Sequence, residues 1–260
     1  MTTSLPRSVS SLIAHYKSLH LGNQRVKTPY FMRFKNSGHQ GAHYALSGKG
    51  RPEDIENLAN EYAHAEKFDF DTHTPLEIRN FLLRNSLGID CSGLAMWLLD
   101  AWLQEMGEGR VWERVSAPRG LICKLKFKLR PESNINTDLL TSEPGSRKIQ
   151  TVLGIRSGDL IRTRAGRHVL FVTATSAKAI NYLHSTRHYG DDNGIIEGKI
   201  EITQPTEDLA DQSWLPEHGD DNQAYKGYKT HPADNGVWRL KALDKPLVAG
   251  PIGGPRSDLL

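Results

Sequence analysis

Cys91 stands in the run Gly88-Ile89-Asp90-Cys91-Ser92-Gly93-Leu94, at the mouth of a strongly apolar segment. Asp90 suits an N-cap, because its carboxylate can accept from the free backbone N–H groups of a first helical turn. Leu94, Ala95, Leu98, Leu99, Ala101 and Trp102 recur at helical spacing, and Trp97 and Leu103 widen that stripe to nearly all-round burial. A thiol in the first turn feels the positive end of the helix, which favours thiolate, the form that attacks carbonyl carbon. The alternative for the same residue is a small buried thiol packed like alanine. A second stretch runs Arg156-Ser157-Gly158-Asp159-Leu160-Ile161-Arg162-Thr163, turns at Ala165-Gly166, and continues Arg167-His168-Val169-Leu170-Phe171-Val172. It reads as two β-rich runs with a histidine opening the second.

Asp-Cys-Ser-Gly-Leu at a helix start, then Gly-Asp-Leu, then His-Val at a strand start, in this order, resembles the NlpC-type cell-wall cysteine peptidases, which are compact papain-like enzymes. The resemblance spans about residues 86–203. It implies Cys91 as nucleophile and His168 as its base. The third, orienting place falls on His184 in Asn181-Tyr182-Leu183-His184-Ser185-Thr186, with His188 four residues on as its competitor. Thr28-Pro29-Tyr30 is similar to the Thr-Pro-Tyr that precedes the family's nucleophile, so Tyr30 is either an oxyanion-side residue or a packing aromatic. Asp90 and Ser92 flank the nucleophile as further candidates on the substrate side. The implied substrate is an amide in a peptidoglycan stem peptide, between D-glutamate and a diamino acid. Other uses of the same residues are deamidation, acyl transfer, or a binding module of the same fold without turnover.

The elements that would position these residues follow from periodicity. Ser8 to His20, Pro52 to about Lys67, and a segment opening at Thr74-Pro75-Leu76-Glu77 read as helices. Val26 to Phe34 reads as extended, and Asn36 to Gly50 as a glycine- and histidine-rich loop. Asp69, Asp71 and His73 would share one face of a strand as a metal trio, against the alternative of a solvated connector; no metal site is expected. Leu121 to Arg130 alternates apolar and basic residues and predicts a strand with Cys123, Leu125, Phe127 and Leu129 inward, its basic face either guarding a sheet edge or forming a wall that attracts an acidic substrate. Glu132 to Ser146 and Gln204 to Asp234 read as polar loops. Strands are expected at 159–164, 168–174, 179–184 and 195–203, and a last one at 236–240. The expected fold is α+β: a papain-like core (86–245, with an insertion at 107–150) whose nucleophile helix packs on an antiparallel sheet. A helical N-terminal extension (1–85) precedes it and a flexible tail (246–260) follows.

Composition narrows the function classes. Hydrophobic and charged shares of 38% and 24% are those of a globular protein. A net charge of +3 gives no case for nucleic acid or a membrane as a partner, and no apolar run is long enough to span a bilayer. Two cysteines make neither a disulfide framework nor a metal-ligand spacing, and no cofactor is expected. Met1 to Arg7 lacks a secretory h-region, which leaves localisation open between the cytoplasm and a non-standard export route.

Overall fold

The computed structural model describes residues 4–32, 44–118 and 120–245. Helix α1 (Arg7–Lys17) turns Val9, Ile13 and Tyr16 inward, four and three residues apart and so on one face. A short hairpin, β1 (Leu19–Leu21) and β2 (Gln24–Val26), follows. Helix α2 (Pro52–Glu66) opens on Pro52, and α3 (Pro75–Arg84) opens on a capping box in which Thr74 and Glu77 satisfy each other's backbone donors. Helix α4 (Cys91–Glu105) is buried from Cys91 to Leu103. It is the central helix of the molecule.

Then come α5 (Leu121–Leu129), α6 (Pro131–Asn134), α7 (Thr137–Leu140) and β3 (Ser146–Ile149). The remaining elements are β4 (Leu160–Thr163), β5 (His168–Thr175), β6 (Ala179–Thr186), β7 (Gly194–Glu201), β8 (Ser213–Trp214), α8 (Gln223–Lys229) and β9 (Gly236–Leu240). The seven-stranded sheet has the order β3-β9-β4-β5-β6-β7-β8 and is antiparallel throughout. Helices and an antiparallel sheet make this an α+β protein.

The sheet has two packed faces. Leu160, Val169, Phe171, Leu183 and Ile195 pack with α4 and with Val9, Leu19 and Phe81 of the N-terminal elements in one core. Ile161, Leu170, Val172, Ile180 and Tyr182 alternate with them and form a second core with Trp214 and Tyr228. The described N-terminal elements therefore share α4's core.

Several expectations are corrected. Leu121–Leu129 is a helix, and Cys123 is exposed rather than buried. Alternation of Leu and Lys cannot by itself exclude a helix. Among the described residues no neighbouring strand supplies partners, and the segment closes its backbone bonds internally, with Asn134 Nδ2 donating to the Lys126 and Arg130 carbonyls. The 132–146 stretch holds α6 and α7, and 204–234 holds β8 and α8; these elements are too short to show a periodicity. Phe70–Thr72 is a 3-10 turn capped by Asp69, not a strand, so Asp69, Asp71 and His73 do not line one face; Asp71 holds the Gly22-Asn23 turn instead. Among the described residues no cluster of side chains could hold a metal. Residues 33–43 and the 246–260 tail lie outside the described residues.

Candidate active site

Cys91 is the first residue of α4, and Asp90 caps the helix by accepting from the Gly93 amide at 2.6 Å. Asp90 is itself held from the other side. The ammonium of Lys49, only 5% exposed, donates to Asp90 Oδ1 at 2.8 Å and to Ser92 Oγ at 2.5 Å, and Ser92 Oγ donates to Asp90 at 3.0 Å. A buried cation is tolerated only when paired and hydrogen-bonded, and this triad meets that condition. Lys49 pairs with Ile89 as an isolated antiparallel bridge, and Tyr30 pairs with Ile89 as a parallel one. Ser185 Oγ of β6 donates to the Ile89 carbonyl at 2.7 Å. Three distant segments thus clamp the turn that presents Cys91.

Close approach explains one glycine. A side-chain carbon at Gly93 would lie 2.5 Å from the Gly48 carbonyl oxygen, so only glycine lets α4 reach that loop.

The amides of Val169 and Ser92 point at the Cys91 sulfur, so Cys91 meets β5 at the residue after His168. Burial pushes the Cys91 thiol up to about 11, and the Asp90 carboxylate adds to that; Lys49 and the two amides oppose it without prevailing. Expectation and structure differ here. Desolvation outweighs the helix terminus, and the resting group is a neutral thiol. Burial, followed by the nearby His184, Arg164 and His188, holds His168 well below the ordinary histidine range, so its ring is neutral too.

His168 and His184 come together. Extending the register Phe171↔Leu183 makes them diagonal neighbours on the second face of the sheet, and His168 Nε2 lies 2.6 Å from His184 Nδ1. Beyond His184 stands Glu217, which the sequence reading placed only in a turn. Its Oε1 lies 3.0 Å from His184 Nε2, off the line of the ring N–H, and accepts from the Tyr182 hydroxyl at 2.7 Å. Its Oε2 accepts from the Tyr189 hydroxyl. Burial pulls the Glu217 carboxyl up, but contacts from His184, Tyr189 and Tyr182 bring it below its ordinary value, so it is ionised. Glu217 comes from a segment with no periodicity. Its only signal was one acidic residue beside a histidine in Glu217-His218-Gly219-Asp220.

The ionised carboxylate orders the protons. Glu217 favours hydrogen on His184 Nε2, which leaves His184 Nδ1 as an acceptor. His168 must then carry its hydrogen on Nε2, and its Nδ1 keeps a lone pair. Nδ1 is the ring nitrogen left for chemistry.

Tyr30 is brought beside Cys91 although it lies far away in sequence. Burial raises its phenol, and Cys91 once ionised and Asp90 raise it further, so it is a donor. Its hydroxyl reaches Met32 Sδ at 3.5 Å, and its amide donates to Asn193 Oδ1 at 3.0 Å. Buried Arg79 of α3 secures the same loop by donating to the Asp191 and Asn193 carbonyls. Asp159 of the Gly-Asp-Leu run is structural: it forms a buried two-point pair with Arg239 of β9 at 2.6 and 2.8 Å. His188 is exposed, and it acts on His168 only through its charge, without a side-chain hydrogen bond to it. No protein-family model, curated protein or solved structure matches this chain.

Proposed function

We propose that the protein is a papain-like cysteine hydrolase that cleaves an amide bond, with Cys91 as nucleophile, His168 as base and His184 as its orienting partner. The observation that carries this reading is the ordered series Glu217–His184–His168, which ends in an imidazole lone pair next to the residue whose amide contacts the Cys91 sulfur. A buried series of this polarity has no evident use in packing, because each member costs desolvation.

The chemistry runs as follows. On substrate binding His168 Nδ1 takes the thiol proton, and the Cys91 sulfur attacks the carbonyl carbon. The oxyanion is met by amides at the start of α4, with the Tyr30 hydroxyl as a further donor. The C–N bond breaks, the amine leaves with the proton from His168, and a thioester remains on Cys91. Water, deprotonated by His168, then hydrolyses the thioester, releasing the acid and restoring the thiol. Because desolvation keeps both groups neutral at rest, proton transfer to His168 accompanies attack of the sulfur on the carbonyl, and the amide donors meet the oxyanion as it forms. The resemblance to NlpC-type peptidases supports a peptidoglycan stem peptide as substrate, with cleavage between D-glutamate and a diamino acid.

The test is incubation of the full chain with purified peptidoglycan, followed by mass spectrometry of the soluble fragments. Wild type is expected to release fragments with a new amino terminus at the diamino acid. Cys91→Ala should release none, and Cys123→Ala should keep most activity. An active Cys91→Ala variant alongside a dead Cys123→Ala variant would overturn the assignment. A folded wild type that binds peptidoglycan and releases nothing would leave a binding module.

A further inference from the structure

Helix α5 carries an apolar face that nothing in the described structure covers. Leu121, Ile122, Leu125 and Leu129 are 85%, 71%, 57% and 71% exposed, while Phe127, on the other side, is buried. At 3.6 residues per turn the four exposed side chains fall within about 100° of arc, a single stripe. Exposed large apolar groups gathered on one stripe mark an interaction surface.

The charges around the stripe say what it meets. Lys124 and Lys128 border it on one side, Lys126 and Arg130 on the other, and no acidic residue occurs from 121 to 130. All four cations are exposed. We infer that α5 docks the protein on an anionic phospholipid bilayer, with the four apolar side chains in the acyl boundary and the flanking cations among the headgroup phosphates. A cation row on each side of a narrow apolar stripe is the arrangement that lets long basic side chains reach up to the phosphates while the stripe sinks. A second copy of the chain would bring like-charged rows together, and that contact is repulsive. Nucleic acid would engage the cations and leave the leucines in water. The small net charge of +3 hides this surface, because it averages a local basic patch with acidic residues elsewhere.

The experiment is cosedimentation of the full chain with vesicles of phosphatidylcholine alone, and with vesicles of phosphatidylcholine and phosphatidylglycerol in equal parts. The anionic vesicles are expected to carry the protein down and the neutral ones to leave it in solution. Leu125→Ser with Leu129→Ser should weaken partition about tenfold or more, since two apolar side chains no longer enter the bilayer. Lys124→Gln with Lys128→Gln should weaken it about fivefold for each charge removed. All four sites are exposed, so unchanged circular dichroism is expected, and Cys91→Ala should bind as wild type does. Failure of wild type to sediment with anionic vesicles overturns the inference. So does partition that ignores the leucine changes, polyuridylate binding that replaces vesicle binding, or vesicle-free dimerisation abolished by the leucine changes.

Discussion

Cys91 and His168 are both held neutral at rest by burial, and His184 and Glu217 decide which nitrogen of His168 is free. This sets the expected kinetics. His184→Ala should lower turnover on the order of a hundredfold with KM little changed, as an orienting role requires. Glu217→Gln keeps an acceptor for the tyrosines but loses the negative charge that favours a protonated histidine. The acid limb of kcat/KM should therefore move to lower pH by about one unit or more, a shift that purely structural damage would not produce. Stability has its own pH signature. His168 has a folded-state pKa below its unfolded one, so its contribution is complete above about pH 6.5 and is lost as pH falls toward the folded value. Unfolding free energies from urea titrations between about pH 7 and 5 should fall in wild type by up to about 1.4 kcal/mol per pH unit more than in His168→Gln. Alkylation also reads these environments. Exposed Cys123, not buried Cys91, should be the faster thiol at neutral pH, the reverse of what the helix terminus alone suggests.

The element that matters most is α4, and its first turn is secured by side chains rather than by helix propensity. Asp90 caps the helix and neutralises buried Lys49, so removing it does two kinds of damage. Asp90→Ala should cost about 3–5 kcal/mol by chemical denaturation, the range for leaving one partner of a buried pair unpaired. Adding Lys49→Met to Asp90→Ala should recover a large part of that loss. If the double variant is less stable than Asp90→Ala, Lys49 contributes through its packing and not through the pair. Asp90 was readable because capping leaves a local mark. Lys49 was not, since nothing around an isolated lysine in a loop shows that a distant helix start will cover it.

At the scale of the whole molecule the N-terminal elements and the sheet close on α4 from two sides. Val9, Ile13, Leu19 and Phe81 belong to the same core as Leu98, Trp102 and Phe171. A chain begun at residue 86 would expose that side of α4, and it is expected to be insoluble or to lose cooperative thermal unfolding while the full chain keeps it. A cooperative, soluble 86–245 fragment would show instead that the sheet side suffices. Strand β9 works in the same long-range way, lying between β3 and β4 and bringing Arg239 onto Asp159.

Local regularities in the chain were sufficient for the α+β class, the helix that opens at Cys91 with its Asp90 cap, and the hairpin that carries His168 and His184, because capping, periodicity and turn chemistry act over a few residues. The helical state of 121–129 was not legible, since Leu–Lys alternation fits a strand, and only the absence of a pairing neighbour decided the question. Lys49, Tyr30 and Glu217 reach the candidate site from three segments far apart in sequence. Their roles depend on which chains pass within hydrogen-bonding distance once the core has closed. The protonation of Cys91 turned on the same fact: the helix terminus is written in the sequence, but the burial that overrides it exists only in the folded molecule.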